Sequence, residues 1–217
     1  MKKLCMILSD FRCYLCGKVL TNMEKVCDSC IGSFYHDLSE EKFDHFDIVH
    51  YDNYSFIQFY YSYCKSLVML NKKQGDWGVI QLYYQLIKKY FMISKEDIVI
   101  VVPDSLVKRF FKGKSAFSYL ATYFKKDGYT VCDNILMKKL FTGKQKLRSK
   151  QDRIEKVKND FYINNKIIVK NDKNVVLIDD IYTTGSTINR CSELLKEYGF
   201  KTVKAITIFK VIFRNAS

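Results

Sequence analysis

Chemistry concentrates in two short stretches of the 217-residue chain. The first, VVLIDDIYTTGST from Val175 to Thr187, runs from four apolar residues into two acids and then into hydroxyls gathered round one glycine. Carboxylates such as Asp179 and Asp180 can accept hydrogen bonds from two vicinal hydroxyls of a sugar, or hold Mg²⁺ through water. Thr183, Thr184, Gly185, Ser186 and Thr187 offer backbone N–H groups and hydroxyls, with the glycine allowing close approach. At the start of a helix such donors form a phosphate cradle, aided by the helix dipole. An ordinary strand-to-helix turn explains one acid or one threonine, but not two acids followed by five residues suited to a phosphate.

The second stretch is Cys13-x-x-Cys16, ten residues, then Cys27-x-x-Cys30. Each pair can bend round one tetrahedral metal, and Gly17 suits the tight turn of a knuckle. Four thiolates leave no open coordination position, so bound Zn²⁺ would be structural. It would replace a hydrophobic core in a segment too small to fold on burial alone. A set of reduced thiols, or a redox pair, is the alternative. Cys5, Cys64, Cys132 and Cys191 are scattered and read as small buried hydrophobes.

The elements that must position these groups follow from hydrophobic pattern. Ile98–Val102 and Val175–Ile178 are unbroken apolar runs, expected as buried parallel strands. Ser186–Tyr198, closed by Gly199, and Trp77–Phe91 have helical spacing, and Gly113–Lys126 is expected to be helical. The aromatic-rich stretch Tyr51–Leu70 is predicted as a helix with a broad buried face, and a short strand is expected around Ile48 and Val49. Tyr129–Leu136 is expected to be extended, with strands at Phe161–Ile163, Ile167–Val169 and Thr202–Phe209. Strands alternating with helices imply an α/β fold, a parallel sheet covered on both faces. The chain divides into a four-cysteine module at 1–38 and an α/β domain at 39–217, with 39–75 a helical lead-in and 76–217 the core.

Hydrophobic residues at 48%, with 16 Phe and 16 Tyr, exclude a disordered chain. No apolar run is long enough to span a bilayer, and MKKLCMILSDF lacks the apolar length of a signal peptide. A cytoplasmic location is expected. The formal charge of +13 is uneven: residues 1–60 hold 6 basic and 9 acidic side chains, residues 121–170 hold 13 and 5. Lys138–Lys158 alone carries nine basic residues, among them Lys144, Lys146, Lys150 and Arg153. Such a segment can neutralise a pyrophosphate, contact single-stranded DNA as well, or remain a solvated loop.

The acid–loop stretch resembles the phosphoribosyl pyrophosphate (PRPP) signature of type I phosphoribosyltransferases. The resemblance implies that Asp179 and Asp180 bind the ribose 2′ and 3′ hydroxyls, while Thr183 to Thr187 bind the 5′-phosphate of Mg²⁺-bound PRPP. An N-terminal four-cysteine knuckle on such a domain resembles the ComF-type competence family, whose members support uptake of transforming DNA. SLVMLNKKQGD at 66–76 and the spaced Thr142, Gln145, Leu147, Arg153, Asn159 and Phe161 are similar to family segments. That family usually continues from Pro103 into Pro-x-Pro and Arg-Gly-Phe-Asn-Gln segments; here Asp104 and Ser105 follow, and Lys112 to Ala116 read KGKSA. Hypoxanthine-type enzymes carry an aspartate where Thr183 stands, and a threonine hydroxyl cannot serve as a general base near neutral pH. The family implies a competence protein that binds PRPP and single-stranded DNA, with other competence proteins as partners. An active nucleobase phosphoribosyltransferase that releases pyrophosphate is the competing function, for which no catalytic residue can be named.

Overall fold

The computed structural model describes residues 12–13, 15–20, 26–32, 49–60, 64–69, 77–103, 116–139, 160–169 and 172–211. Seven strands are described: β1 (Asn53–Phe59), β2 (Ile98–Val101), β3 (Thr130–Val131), β4 (Leu136–Lys138), β5 (Phe161–Ile163), β6 (Val175–Tyr182) and β7 (Val203–Lys210). The helices are α1 (Asp28–Gly32), α2 (Cys64–Met69), α3 (Trp77–Tyr90), α4 (Leu120–Lys126) and α5 (Ser186–Tyr198), with a 3₁₀ turn at Ala116–Tyr119 leading into α4.

Five strands form one sheet in the order β1-β7-β6-β2-β3, and every pairing in it is parallel. Its inner strands are apolar on both faces, as a parallel sheet covered twice requires. Alternate residues of β6 serve the two cores. Val176 and Ile178 pack with Ile80, Tyr83 and Ile87 of α3 and with Leu120 and Phe124 of α4. Val175 and Leu177 pack with Ile188, Cys191, Leu194 and Leu195 of α5. The antiparallel β4–β5 pair adds Leu136 and Phe161 to this second core. Helix α5 stops where the Gly199 N–H bonds to Lys196 O at 2.9 Å and the Phe200 N–H to Leu195 O at 3.1 Å, the pairing that ends many helices.

Helices α3 and α5, strands β2 and β5, and the helical reading of Gly113–Lys126 stand as expected wherever they are described. Other stretches differ. Tyr51–Leu70 is not one helix: Asn53–Phe59 is a strand, and only Cys64–Met69 is helical. Five consecutive residues of β1 are buried, so no polar alternation marked it as a strand. Pairing with β7 from Asn53↔Lys204 to Phe59↔Lys210 decides its conformation, as tertiary context commonly does for aromatic-rich segments. Val49 is irregular, whereas Ile48 lies outside the described residues. Ile167–Val169 is not a strand either. The Tyr198 hydroxyl donates to Ile167 O at 3.1 Å and accepts from the Val169 N–H at 3.0 Å, doing the work of a neighbouring strand. The extended stretch after Tyr129 divides into β3 and β4 round a turn. Cys64 and Cys191 are fully buried and Cys132 is half-buried; Cys5 lies outside the described residues.

Leu177, fully buried in the central strand, tests the second core. Leu177→Ala is expected to cost about 2–5 kcal/mol. In urea titration the midpoint should fall with the slope unchanged.

Candidate functional site

Strand β6 runs further than its apolar residues. Its ladder with β2 ends at Val101↔Ile178, with the Val102 N–H still reaching Ile178 O at 2.9 Å. Its ladder with β7 continues through Asp179↔Thr207 to Tyr182↔Lys210. The two acids therefore lie inside the strand rather than just beyond it, because β7 outlasts β2 as a partner. They fall where the sheet parts on its β2 side.

That parting coincides with a reversal of the chain's winding. From β2 the chain passes through α4, on the α3 face, to β3 on one side. From β6 it passes through α5, on the opposite face, to β7 on the other. Where neighbouring strands feed helices on opposite faces, open α/β sheets bind ligands at the carboxyl ends of those strands.

Asp180 is buried at 8% exposure, Asp179 is half-buried, and the Asp180 N–H donates to Asp179 Oδ1 at 2.8 Å. The Asp179 charge acts on Cys191 of α5 and the Asp180 charge on Tyr83 of α3, so the two acids serve opposite faces; strict alternation breaks just beyond them, since Ile181 packs with the α3-side core and Tyr182 with the other. Burial pushes the Cys191 thiol on α5 upward, and the Asp179 charge adds to the shift.

The loop that follows closes on itself. Thr184 Oγ1 and Ser186 Oγ are 2.8 Å apart, and the Ser186 N–H points to Thr184 Oγ1 at 3.5 Å. Gly185 caps α5 with φ at +75°, in the left-handed region that a side chain disfavours. No side-chain oxygen caps the helix there. Its first turn has no intrahelical acceptors for its N–H groups, which is the electropositive end an anion seeks. Thr183 is exposed, Thr184 and Thr187 are half-buried, and Gly185 and Ser186 are buried. Of the residues singled out by sequence, Asp179, Asp180 and Thr183 to Thr187 thus share one strand end and one helix start. Lys144, Lys146, Lys150 and Arg153 lie outside the described residues.

Sequence reasoning did not single out an aromatic group beside this loop. The Tyr54 ring lies 4.5 Å from that of Tyr182, and the Tyr51 and Tyr182 hydroxyls are 3.4 Å apart. The Tyr54 hydroxyl is 2.8 Å from Thr207 Oγ1, and Thr207 stands opposite Asp179. Burial and the neighbouring tyrosines push the Tyr182 hydroxyl far above its ordinary pKa, so it remains protonated. Lys210, at 8% exposure, sets its ammonium 5.0 Å from the Phe56 ring and 6.0 Å from that of Phe59. Only the β1–β7–β6 register brings these residues together. Tyr182 alone lies within the acid–loop stretch.

The four cysteines also meet. The sulfurs of Cys13, Cys16, Cys27 and Cys30 all lie within 4.8 Å of one another and can hold one metal ion. A tetrahedral site with metal–sulfur bonds near 2.3 Å has sulfurs about 3.8 Å apart, and the Cys16 and Cys27 sulfurs are separated by 3.7 Å. The Cys27 N–H reaches Cys13 Sγ at 3.4 Å. Burial raises the Cys13 thiol, but hydrogen bonds from backbone N–H groups of Cys27, Cys16 and Leu15 outweigh it and bring the pKa down to about 6. Cys30 is pushed well up by burial and by the other three thiols.

A model of the phosphoribosyl transferase domain family matches residues 120–216, a span containing β6, the acid pair, the loop and β7. Competence protein ComFC of Streptococcus pneumoniae (strain ATCC BAA-255 / R6) is 28% identical over 141 residues, covering 64% of this chain and 60% of that protein. Under two thirds of that relative's length is therefore spanned. A solved structure of the allosteric regulatory enzyme of purine biosynthesis shares 22% identity over 59% of this chain and 24% of its own, at a TM-score of 0.39. The match to the phosphoribosyl transferase domain family falls on the part of the parallel sheet that carries the acid pair and the loop. The chain is thus similar to a ComF-type competence protein over 141 residues and to the phosphoribosyl transferase domain over its carboxyl-terminal part, and it carries a four-cysteine cluster ahead of that part. Among the described residues no helix is long and apolar enough to cross a membrane.

Gly185→Ala puts a side chain on a left-handed residue, at an expected cost of about 1–2 kcal/mol. Hydrogen exchange should quicken at the first amides of α5 while α3 stays protected.

Proposed function

We propose that this protein binds Mg²⁺–PRPP at the carboxyl end of β6, contacts single-stranded DNA through Lys144, Lys146, Lys150 and Arg153, and serves DNA uptake during natural transformation. The observation that carries the reading is the acid pair at the parting of the sheet, followed directly by a left-handed glycine and a helix N-terminus. Asp179 and Asp180 accept the ribose 2′ and 3′ hydroxyls. The turn from Thr183 to Thr187 donates N–H and hydroxyl groups to the 5′-phosphate. Mg²⁺ supplies positive charge to the diphosphate. The name of the pneumococcal relative supports the competence role. The basic composition of Lys138–Lys158 supports the polyanion contact. Cys13, Cys16, Cys27 and Cys30 hold one structural Zn²⁺, a reading supported by an all-sulfur donor set at tetrahedral spacing.

Calorimetry should detect Mg²⁺-dependent PRPP binding, and Asp179→Ala with Asp180→Ala should abolish it; unchanged binding would overturn the assignment. The same protein incubated with PRPP and a panel of nucleobases should release no pyrophosphate. Base-dependent release would instead establish a nucleobase phosphoribosyltransferase. Neutralising Lys144, Lys146, Lys150 and Arg153 together should weaken single-stranded DNA binding and flatten its salt dependence.

Metal analysis is expected to find one zinc per chain, lost when Cys13 and Cys16 become serine. A folded, zinc-free wild-type protein would remove the metal.

A further inference from the structure

Buried hydroxyls in this fold generally have partners. The Tyr84 hydroxyl donates to Asp127, that of Tyr54 meets Thr207, and that of Tyr198 holds the 167–169 backbone. Tyr83 departs from this pattern, as does the small Ser192 hydroxyl within α5. Tyr83 is 0% exposed, yet its hydroxyl has no hydrogen-bond partner among the described residues. A donor removed from water without an acceptor is destabilising, and such groups call for a reason.

Its surroundings supply one. Tyr83 lies in the second turn of α3 and packs in the core that contains Val176 and Ile178. Its ring meets Phe209 edge-on at 6.0 Å and Phe117 at 6.3 Å. Phe209 is the register partner of Ile181, which fixes Tyr83 beneath the carboxyl end of β6 and β7. Ile178 lies in the core that holds Tyr83 and Ile181 packs against that same core, and Asp180 stands between them in β6. Burial, and next the Asp180 charge, push the Tyr83 hydroxyl well above its ordinary pKa, so it is a neutral donor at any physiological pH.

We propose that Tyr83 is a positioning residue for Asp180: its hydroxyl donates to the Asp180 carboxylate when that acid turns to engage the diol of a ribose phosphate. The inference rests on the ribose-phosphate reading of the acid pair and adds the group that holds one acid from below. A carboxylate has about four lone-pair sites, enough to take one phenol and two sugar hydroxyls. The phenol limits rotation of Asp180 without bringing a positive charge, so the carboxylate stays a strong acceptor for the diol. Tyr84 cannot exchange roles with it, because its hydroxyl is committed to Asp127 at the end of α4.

The test compares Tyr83→Phe with wild type on two probes, ribose 5-phosphate and Mg²⁺–pyrophosphate, by calorimetry. Removing an unpaired buried hydroxyl should leave the melting temperature unchanged or raised. Affinity for ribose 5-phosphate should fall about tenfold, the loss of one hydrogen bond to a charged group, while pyrophosphate affinity holds. In an Asp180→Asn background, Tyr83→Phe should have a much smaller effect on ribose 5-phosphate, the non-additivity of two groups acting together. Equal affinity of wild type and Tyr83→Phe for ribose 5-phosphate would overturn the inference alone. An equal loss on both probes, or an undiminished loss in the Asp180→Asn background, would reduce Tyr83 to a packing residue and also overturn it. Wild-type protein that binds neither probe would overturn the reading of the acid pair itself, and this inference with it.

Discussion

The unequal reach of two strand ladders governs the rest of this molecule. Strand β6 is paired on both sides only to Ile178 and on one side as far as Tyr182. Four residues of one-sided strand hold two carboxylates at a fixed place beyond the end of the β2 ladder. Had β2 continued, its backbone would lie beside them; had β7 stopped early, the acids would sit on a loop with no fixed spacing from the helix that follows. Because α5 begins three residues after the strand ends, the acid pair and the electropositive helix end are held by rigid elements with one short turn between them.

Much of this was legible in the residues. Val175 to Thr187 announces its strand, turn and helix through apolar run, paired acids and hydroxyl-rich turn, and the cysteine spacing announces a cluster. These are local signals, set by neighbours within about a dozen positions. The misread segments lacked a local signal of that kind. Strand β1 is buried on both faces, so the period that separates strand from helix is absent, and only its partner β7, some 150 residues away, decides the conformation. Likewise Ile167 and Val169 have strand-forming side chains, but one tyrosine hydroxyl from α5 meets their backbone instead.

Within the site the same division holds. Asp179, Asp180 and the turn were legible because they are contiguous. Tyr51, Tyr54, Thr207 and Lys210 were not, since each reaches the site through pairing between β1, β7 and β6. Tyr83 falls within Trp77–Phe91, where helical spacing marks the helix but singles out no residue of it. What distinguishes Tyr83 is the missing partner of one oxygen, which periodicity does not register.

The cysteine cluster shares its interior with the sheet. Cys13, Val26 and Cys27 belong to the same packed group as α3 and α4, and the Tyr90 hydroxyl at the end of α3 donates to Ile31 O at 3.5 Å. Helix α3 therefore packs against the cysteine module near its carboxyl end and against the sheet along one face. In mechanical terms the helix is a strut shared by two bodies: the core that backs β6 also backs the thiols, so the cysteine module is braced by the sheet rather than hung from it.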